Sequence, residues 1–265
     1  MYMLKKSGSR VLYLALLASI AFMVSIPCLL AGTENSTLQG TEEKQQNVVS
    51  GGEKSDQTFD ILDRFKRPDS NTVGNVEIGN TFWVERGDNE TDNLIRIAGE
   101  SLVFHYHISE PVHPYLACNL NDFECKDLEI NVTLLPCPHS GYGRCSGISY
   151  RLDVPDGGVD EIGYHVVVNN GDSPNTISLK FGRVTIAKRN VVITSPSKIR
   201  VVAMGTSHKV YLNKNLVIDV TDSGETEDGY IKTNPGYVGL FAWYDLPAFK
   251  DFSIKRLDKQ ENQKP

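Results

Sequence analysis

The chain lacks any surplus of basic residues: 27 Lys and Arg stand against 33 Asp and Glu, a formal net charge of −6. Nucleic acids and anionic membrane surfaces are held mainly by clustered cations, so neither is an expected partner of the folded part. No segment sustains the i, i+3, i+4, i+7 spacing of an amphipathic helix, which argues against a helical or mixed architecture. There is no long internal repeat, and no G-x-S-x-G segment to build a nucleophile elbow. Cysteines at the short C-x2-4-C spacing of zinc ligands are missing too. Long hydrophobic runs are confined to one place, the N-terminus.

What is present is alternation. The segment KIRVVAMGTSHKVYLNKNLVIDVTD at 198–222, followed by GYVGLFAWYDLPAFKDFSIKRL at 236–257, reads as four strands with tight turns. His208, Val210 and Leu212 fall on one face, with Lys209, Tyr211 and Asn213 on the other. After the Asn213-Lys214-Asn215 turn, Leu216, Ile218 and Val220 fall together, opposite Val217, Asp219 and Thr221, as a hairpin requires. Further runs are expected at 81–86, 94–98, 101–107, 127–135, 146–153, 162–169, 176–182 and 184–194. Their spacing of about 8–12 residues is that of an all-β, antiparallel two-sheet sandwich. A chain of 265 residues, 40% hydrophobic, can build one such domain.

The flanks differ from this domain. Lys5, Lys6 and Arg10 precede an uncharged apolar run from Val11 to Gly32, the layout of a secretory signal. Cleavage after Ala31 or Gly32 is expected; because the run is long enough to span a bilayer of about 30 Å, a retained signal anchor is the alternative. Cys28 stands in this run, in a poor context for lipid attachment. Residues 33–56 are rich in Glu, Gln, Ser, Gly and Lys and read as a disordered polar linker. The domain then occupies 57–258, with a polar tail at 259–265. An exported, extracytoplasmic protein follows, touching a membrane only through its N-terminal segment.

Four cysteines remain beyond the leader: Cys118, Cys125, Cys137 and Cys145. In an oxidising compartment an even number implies disulfides, and short gaps favour Cys118 with Cys125 and Cys137 with Cys145, although three pairings exist. These bridges would staple Pro111 to Arg144, which reads as an irregular insertion. Sequons occur at Asn35, Asn89 and Asn131 and matter only in a host that glycosylates. His105, His107 and His113 lack an acidic companion and read as surface residues. The acidic loop DSGETEDG at 222–229 lacks EF-hand spacing and reads as solvated.

The opening FDILDRFKRPDSNTVGN at 59–75, GISYRLD at 147–153, GYHVVV at 163–168 and AFKDFSIKRL at 248–257 carry a resemblance. They resemble the concanavalin A-like lectin and glucanase superfamily. Within it the chain is similar to laminin-G-like jelly rolls, levan-type carbohydrate-binding modules and the 3-keto-disaccharide hydrolase domain. The resemblance implies a concanavalin A-like jelly roll over 57–258 and a carbohydrate-related role. It also implies a structural calcium ion held by Asp251 with Asp60 or Asp63, hard oxygen ligands of the kind calcium takes. The β-glucanases of this superfamily carry E-x-D-x-x-E on one strand, and this chain has no such motif.

A sugar site needs charged hydrogen-bonding groups and an aromatic platform. Alternation in 146–153 puts Ile148, Tyr150 and Leu152 inward and Arg151 and Asp153 outward, while His165 and Lys180 fall outward on the next two strands. Arg151, Asp153, His165 and Lys180 are therefore the expected binding face. Tyr142, inside the Cys137–Cys145 loop, is the expected platform; Tyr115, Tyr244 and the more core-like Trp83 and Trp243 are further candidates. The expected function is a lectin-like module that binds polysaccharide or glycan rather than cleaving it. A hydrolase of oxidised disaccharides and a laminin-G-like adhesion module binding cell-surface protein are the alternatives.

Overall fold

Alternation becomes antiparallel sheet in the computed structural model, which describes residues 58–87, 94–105, 115–135, 145–154, 162–171, 174–243 and 247–258. All of these fall in one compact unit, Lys54–Pro265. In chain order the strands are β1 (Ile61–Asp63), β2 (Trp83–Gly87), β3 (Ile95–Ile97), β4 (Leu102–Phe104) and β5 (Tyr115–Cys125). Next come β6 (Leu128–Leu135), β7 (Cys145–Leu152), β8 (Tyr164–Asn169), β9 (Thr176–Phe181) and β10 (Val184–Asn190). The last five are β11 (Ser197–Met204), β12 (Ser207–Leu212), β13 (Asn215–Thr221), β14 (Gly236–Trp243) and β15 (Ala248–Arg256). No α-helix occurs among the described residues.

The strands form two sheets. Sheet I runs β13-β12-β11-β6-β15-β4-β3, with β1 also pairing β15; sheet II runs β10-β9-β8-β7-β14-β5-β2. Their inner faces share one core: Leu128, Ile130, Val132, Ile199, Val201 and Val210 from sheet I meet Leu116, Leu120, Ile148, Val166, Leu179 and Leu240 from sheet II. Each such side chain, fully withdrawn from water, contributes on the order of 1.5–3 kcal/mol. The expected two-sheet antiparallel sandwich is therefore the observed one. Trp83 stands in this core, 5.0 Å from the ring of Phe252.

Three local expectations fail, each for a backbone reason. The stretch from Pro111 to Arg144 is no insertion: its described residues include β5, which lies between β14 and β2, and β6, which lies between β11 and β15. Its polar sequence, with Asn119, Asn121 and Asp122 inside a strand, hides the pleat from propensity. In the β12–β13 hairpin a register shift pairs Val210 with Ile218 but Tyr211 with Leu216. Leu216 is thereby exposed, while Val217 packs on the core. The turn itself is as expected, with φ of 50° at Asn213 and 72° at Lys214, the left-handed pair of a type I′ turn.

The third concerns the thiols. Cys118 and Cys125 are both buried and unbridged. They stand opposite Leu240 and Gly236 of β14. Four residues of extended strand span about 13 Å, and a disulfide needs Cα atoms within about 7 Å. The Cys118–Cys125 bridge is therefore not formed. The other expected pair involves Cys137, which lies outside the described residues, as do Tyr142, Tyr244, His107, His113, Asn35, Asn89 and the whole leader and linker.

Candidate functional site

The outer face of sheet II is where the sequence places the sugar site. Its register lines up Asn119, Gly239, Ser149, His165, Lys180 and Thr185 as one row across six strands. His165 and Lys180 are thus cross-strand neighbours, as expected. Arg151 is not among them. β14 pairs Val238 with Tyr150 and Tyr237 with Leu152, which leaves Arg151 as the extra residue of a bulge, at φ 52°. The bulge turns its side chain away from this face, and Asp153 lies exposed beyond the strand end.

Arg151 is instead a buried clasp, 2% exposed. Its Nε donates to the carbonyl of Lys126 at 2.7 Å and its Nη1 to that of Gly205 at 2.9 Å. Nη2 donates to Asp127, whose same carboxylate oxygen accepts the amide of Gly205. Sheet II is tied in this way to the β5–β6 crossover and to the β11–β12 turn of sheet I. His165 is fully buried, its Nδ1 2.9 Å from the hydroxyl of Ser149. With Phe241, Ala117 and Val167 also buried in a second apolar cluster, the middle of this face is withdrawn from water, while Lys180 and Thr185 toward its β10 edge are not. The row from Asn119 to Thr185 holds no carboxylate; Glu124 lies exposed farther along β5, beside Tyr237.

The three aspartates assigned to calcium do not converge. Asp63 is completely buried, and its carboxylate accepts the Phe65 amide, the Trp83 indole and both terminal nitrogens of Arg67, all at 2.8–2.9 Å. Four donors and a paired guanidinium leave it no lone pair for a cation. Asp60 accepts the amide of Arg256 at 2.7 Å. Asp251 faces outward from a bulge at φ 51°, exposed. No group of three acidic, His or Cys side chains suited to a metal exists among the described residues. The calcium set does not fit.

The open site lies on the other sheet, on the outward face of β12, β11, β6 and β15, where Arg200 is exposed, Tyr211 and Asn131 are half-buried, and Thr133 and Ser253 lie buried beneath. Tyr211, Arg200, Asn131 and Ser253 form one row; Lys198 and Thr133 lie in the next. A hollow of about 410 Å³ is lined by Thr133, Lys198, Tyr211, Lys214 and Asp251 together with Asn131 and Arg200. A second, of about 510 Å³, shares Asn131 and Arg200 and adds Phe59, Glu129 and Ser253. The shared pair makes them one trough across the sheet.

Arg200 organises its middle. The guanidinium lies 2.9 Å from Glu129 and 4.9 Å from the Tyr211 ring centroid. Burial would raise the Glu129 carboxyl, but hydrogen bonds from Arg200 and Asn131 outweigh it and hold the group below its ordinary value. The trough therefore offers a fixed cation, a fixed anion, an amide, two hydroxyl residues and one aromatic edge. Of the lining residues, the sequence singled out Asp251 as a calcium ligand and Asn131 as a sequon, neither of them for sugar binding. The outward positions of β11 and β12 and the strand β6 were legible from alternation, but the pairing of β6 with β11 was not.

Solved structures place the architecture. A β-1,3-glucanase from Mycobacterium marinum superposes with a TM-score of 0.53 at 11% identity, covering 76% of this chain and 100% of its own. The fold is the concanavalin A-like jelly roll. A Bacillus subtilis protein with a galectin-like fold shares it at a TM-score of 0.52 and 14% identity, over 66% of this chain and 89% of its own. So does a β-glucanase from Bacillus licheniformis, at 0.51 and 12%, over 76% and 99%. No protein-family profile and no curated protein sequence matches the chain. At these identities the likeness carries the jelly roll and not an activity.

Proposed function

We propose that the protein is an exported glycan-binding module that holds its ligand in the trough on the outer face of sheet I. The observation that carries this reading is the solvent-open row Tyr211, Arg200, Asn131, with Asp251 on the trough wall. Vicinal hydroxyls of a sugar accept from a guanidinium or an amide and donate to a carboxylate, and charge-assisted bonds of this kind are the stronger ones. The Tyr211 edge supplies apolar contact for a sugar ring. Export is supported by the leader, with Lys5, Lys6 and Arg10 before the apolar run.

Binding is favoured over hydrolysis by the state of the Glu129 carboxylate. A glycosidase general acid must hold its proton near neutral pH. Glu129 is pushed the opposite way by Arg200 and Asn131. Equilibrium binding of the full chain to a polysaccharide panel tests the reading. At least one glycan should bind, and Arg200→Ala and Tyr211→Ala should each weaken it about tenfold or more while His165→Ala leaves trough binding in place. A panel with no ligand, or a ligand indifferent to both trough variants, would refute it.

A further inference from the structure

Resting on that glycan-binding reading, we propose that the trough selects acidic polysaccharides, chains that carry carboxylates among their hydroxyls. The outer faces of β6, β11, β12, β13 and β15 and the β12–β13 turn hold Lys198, Arg200, Lys209, Lys214, Lys250 and Lys255 against Glu129, Asp219 and Asp251. Six cations therefore face three carboxylates, in a protein whose net charge is −6. The excess sits where a ligand would lie. Arg200 is committed to Glu129 and Lys209 to Asp219. Lys198 and Lys214, both exposed and both lining the trough, have no carboxylate partner among the described residues.

The backbone brings these two lysines together. The amide of Asn213 donates to the carbonyl of Lys198 at 2.8 Å, and the Asn213 side chain accepts the Lys198 amide at 2.8 Å. The turn is clamped in this way to β11, so both ammonium groups stand at one end of the trough. Lys214 also occupies the second position of a type I′ turn, at φ 72°, where glycine is the favoured residue. A lysine there costs backbone strain that its side chain does not recover through any ion pair among the described residues. A site for an external anion accounts for it.

The rest of the trough narrows the ligand class. Asp251 and Glu129 can accept from ring hydroxyls and Asn131 presents a neutral hydrogen-bonding group, so the trough suits a chain that carries hydroxyls as well as carboxylates, which nucleic acid does not. The ligand that fits presents hydroxyls along its length and spaced carboxylates toward Lys198 and Lys214.

The test is equilibrium binding of the full chain to polygalacturonate, alginate and hyaluronate, to the neutral polymers dextran, laminarin and levan, and to duplex DNA, at low and high salt. At least one acidic polysaccharide should bind tenfold or more tightly than every neutral one, and weaken as salt screens the charges. Lys198→Gln and Lys214→Gly should each reduce that affinity several-fold. Lys214→Gly should at the same time raise the thermal midpoint, since it relieves the turn. Neutral polymers bound as tightly, and untouched by the lysine variants, would overturn the acidic preference while leaving glycan recognition intact. Duplex DNA bound as tightly as the polyuronates would also overturn it, by showing that charge alone is read. No polysaccharide bound at all would remove the glycan-binding reading itself.

Discussion

The hydroxyl of Tyr150 lies 2.9 Å from Nδ1 of His208, across the sandwich and completely out of water. The other ring nitrogen of His208 has no hydrogen-bond partner among the described residues, and the ring centroid lies 4.2 Å from that of Tyr164. Burial pushes the imidazole down to about 4; Arg151 and Lys232 push it the same way, and Asp222 opposes them.

This relation makes stability depend on acidity. The folded value lies below the ordinary value of about 6.5, so between about pH 6.5 and 4 the unfolded chain takes up a proton that the folded one refuses. Stability is therefore lost as pH falls through that window, by roughly 3 kcal/mol from this group. Urea denaturation of the wild type and of His208→Asn at pH 7 and pH 4.5 checks it. The wild type should lose more stability between the two, and equal losses would exclude the histidine as the cause.

Arg151 is predicted to be structural. Arg151→Ala strands the carbonyls of Lys126 and Gly205 and the Asp127 carboxylate, and should cost on the order of 3 kcal/mol or more. Glycan affinity, measured at a temperature where the variant remains folded, should be unchanged.

The engagement of Asp63 predicts indifference to calcium. The thermal midpoint should be the same in excess calcium and in chelator. Asp63→Ala should lower it sharply, by about 3 kcal/mol or more, because the Arg67 guanidinium and the Trp83 indole lose their acceptor.

The thiols give a further check. Burial pushes Cys125 up to about 12 and Cys118 well above the ordinary thiol value. Neither should be alkylated in the native protein, and both should react in denaturant without prior reduction, as mass spectrometry of the peptides would show. A Cys118–Cys125 linked peptide would contradict the strand register.

Where one face of a strand meets the core and the other meets water, the sequence was easy to read. In β12, His208, Val210 and Leu212 are buried while Lys209 and Tyr211 are partly exposed, as alternation requires. In β7 all eight residues are buried, so alternation carries no information about which face is which. The bulge at Arg151 then inverts the expected direction without a glycine to announce it. The trough was hidden for another reason. Arg200 and Asn131 are 69 positions apart in sequence and become neighbours only through the β6–β11 pairing, which no local pattern encodes.

The most direct test of where the ligand lies is an amide chemical-shift map of the protein titrated with a short oligosaccharide of whichever glycan it binds. The account predicts perturbations clustered on β6, β11 and β12, at Asn131, Thr133, Lys198, Arg200 and Tyr211. Perturbations centred instead on Ser149, His165 and Lys180 would place the site on sheet II and contradict it.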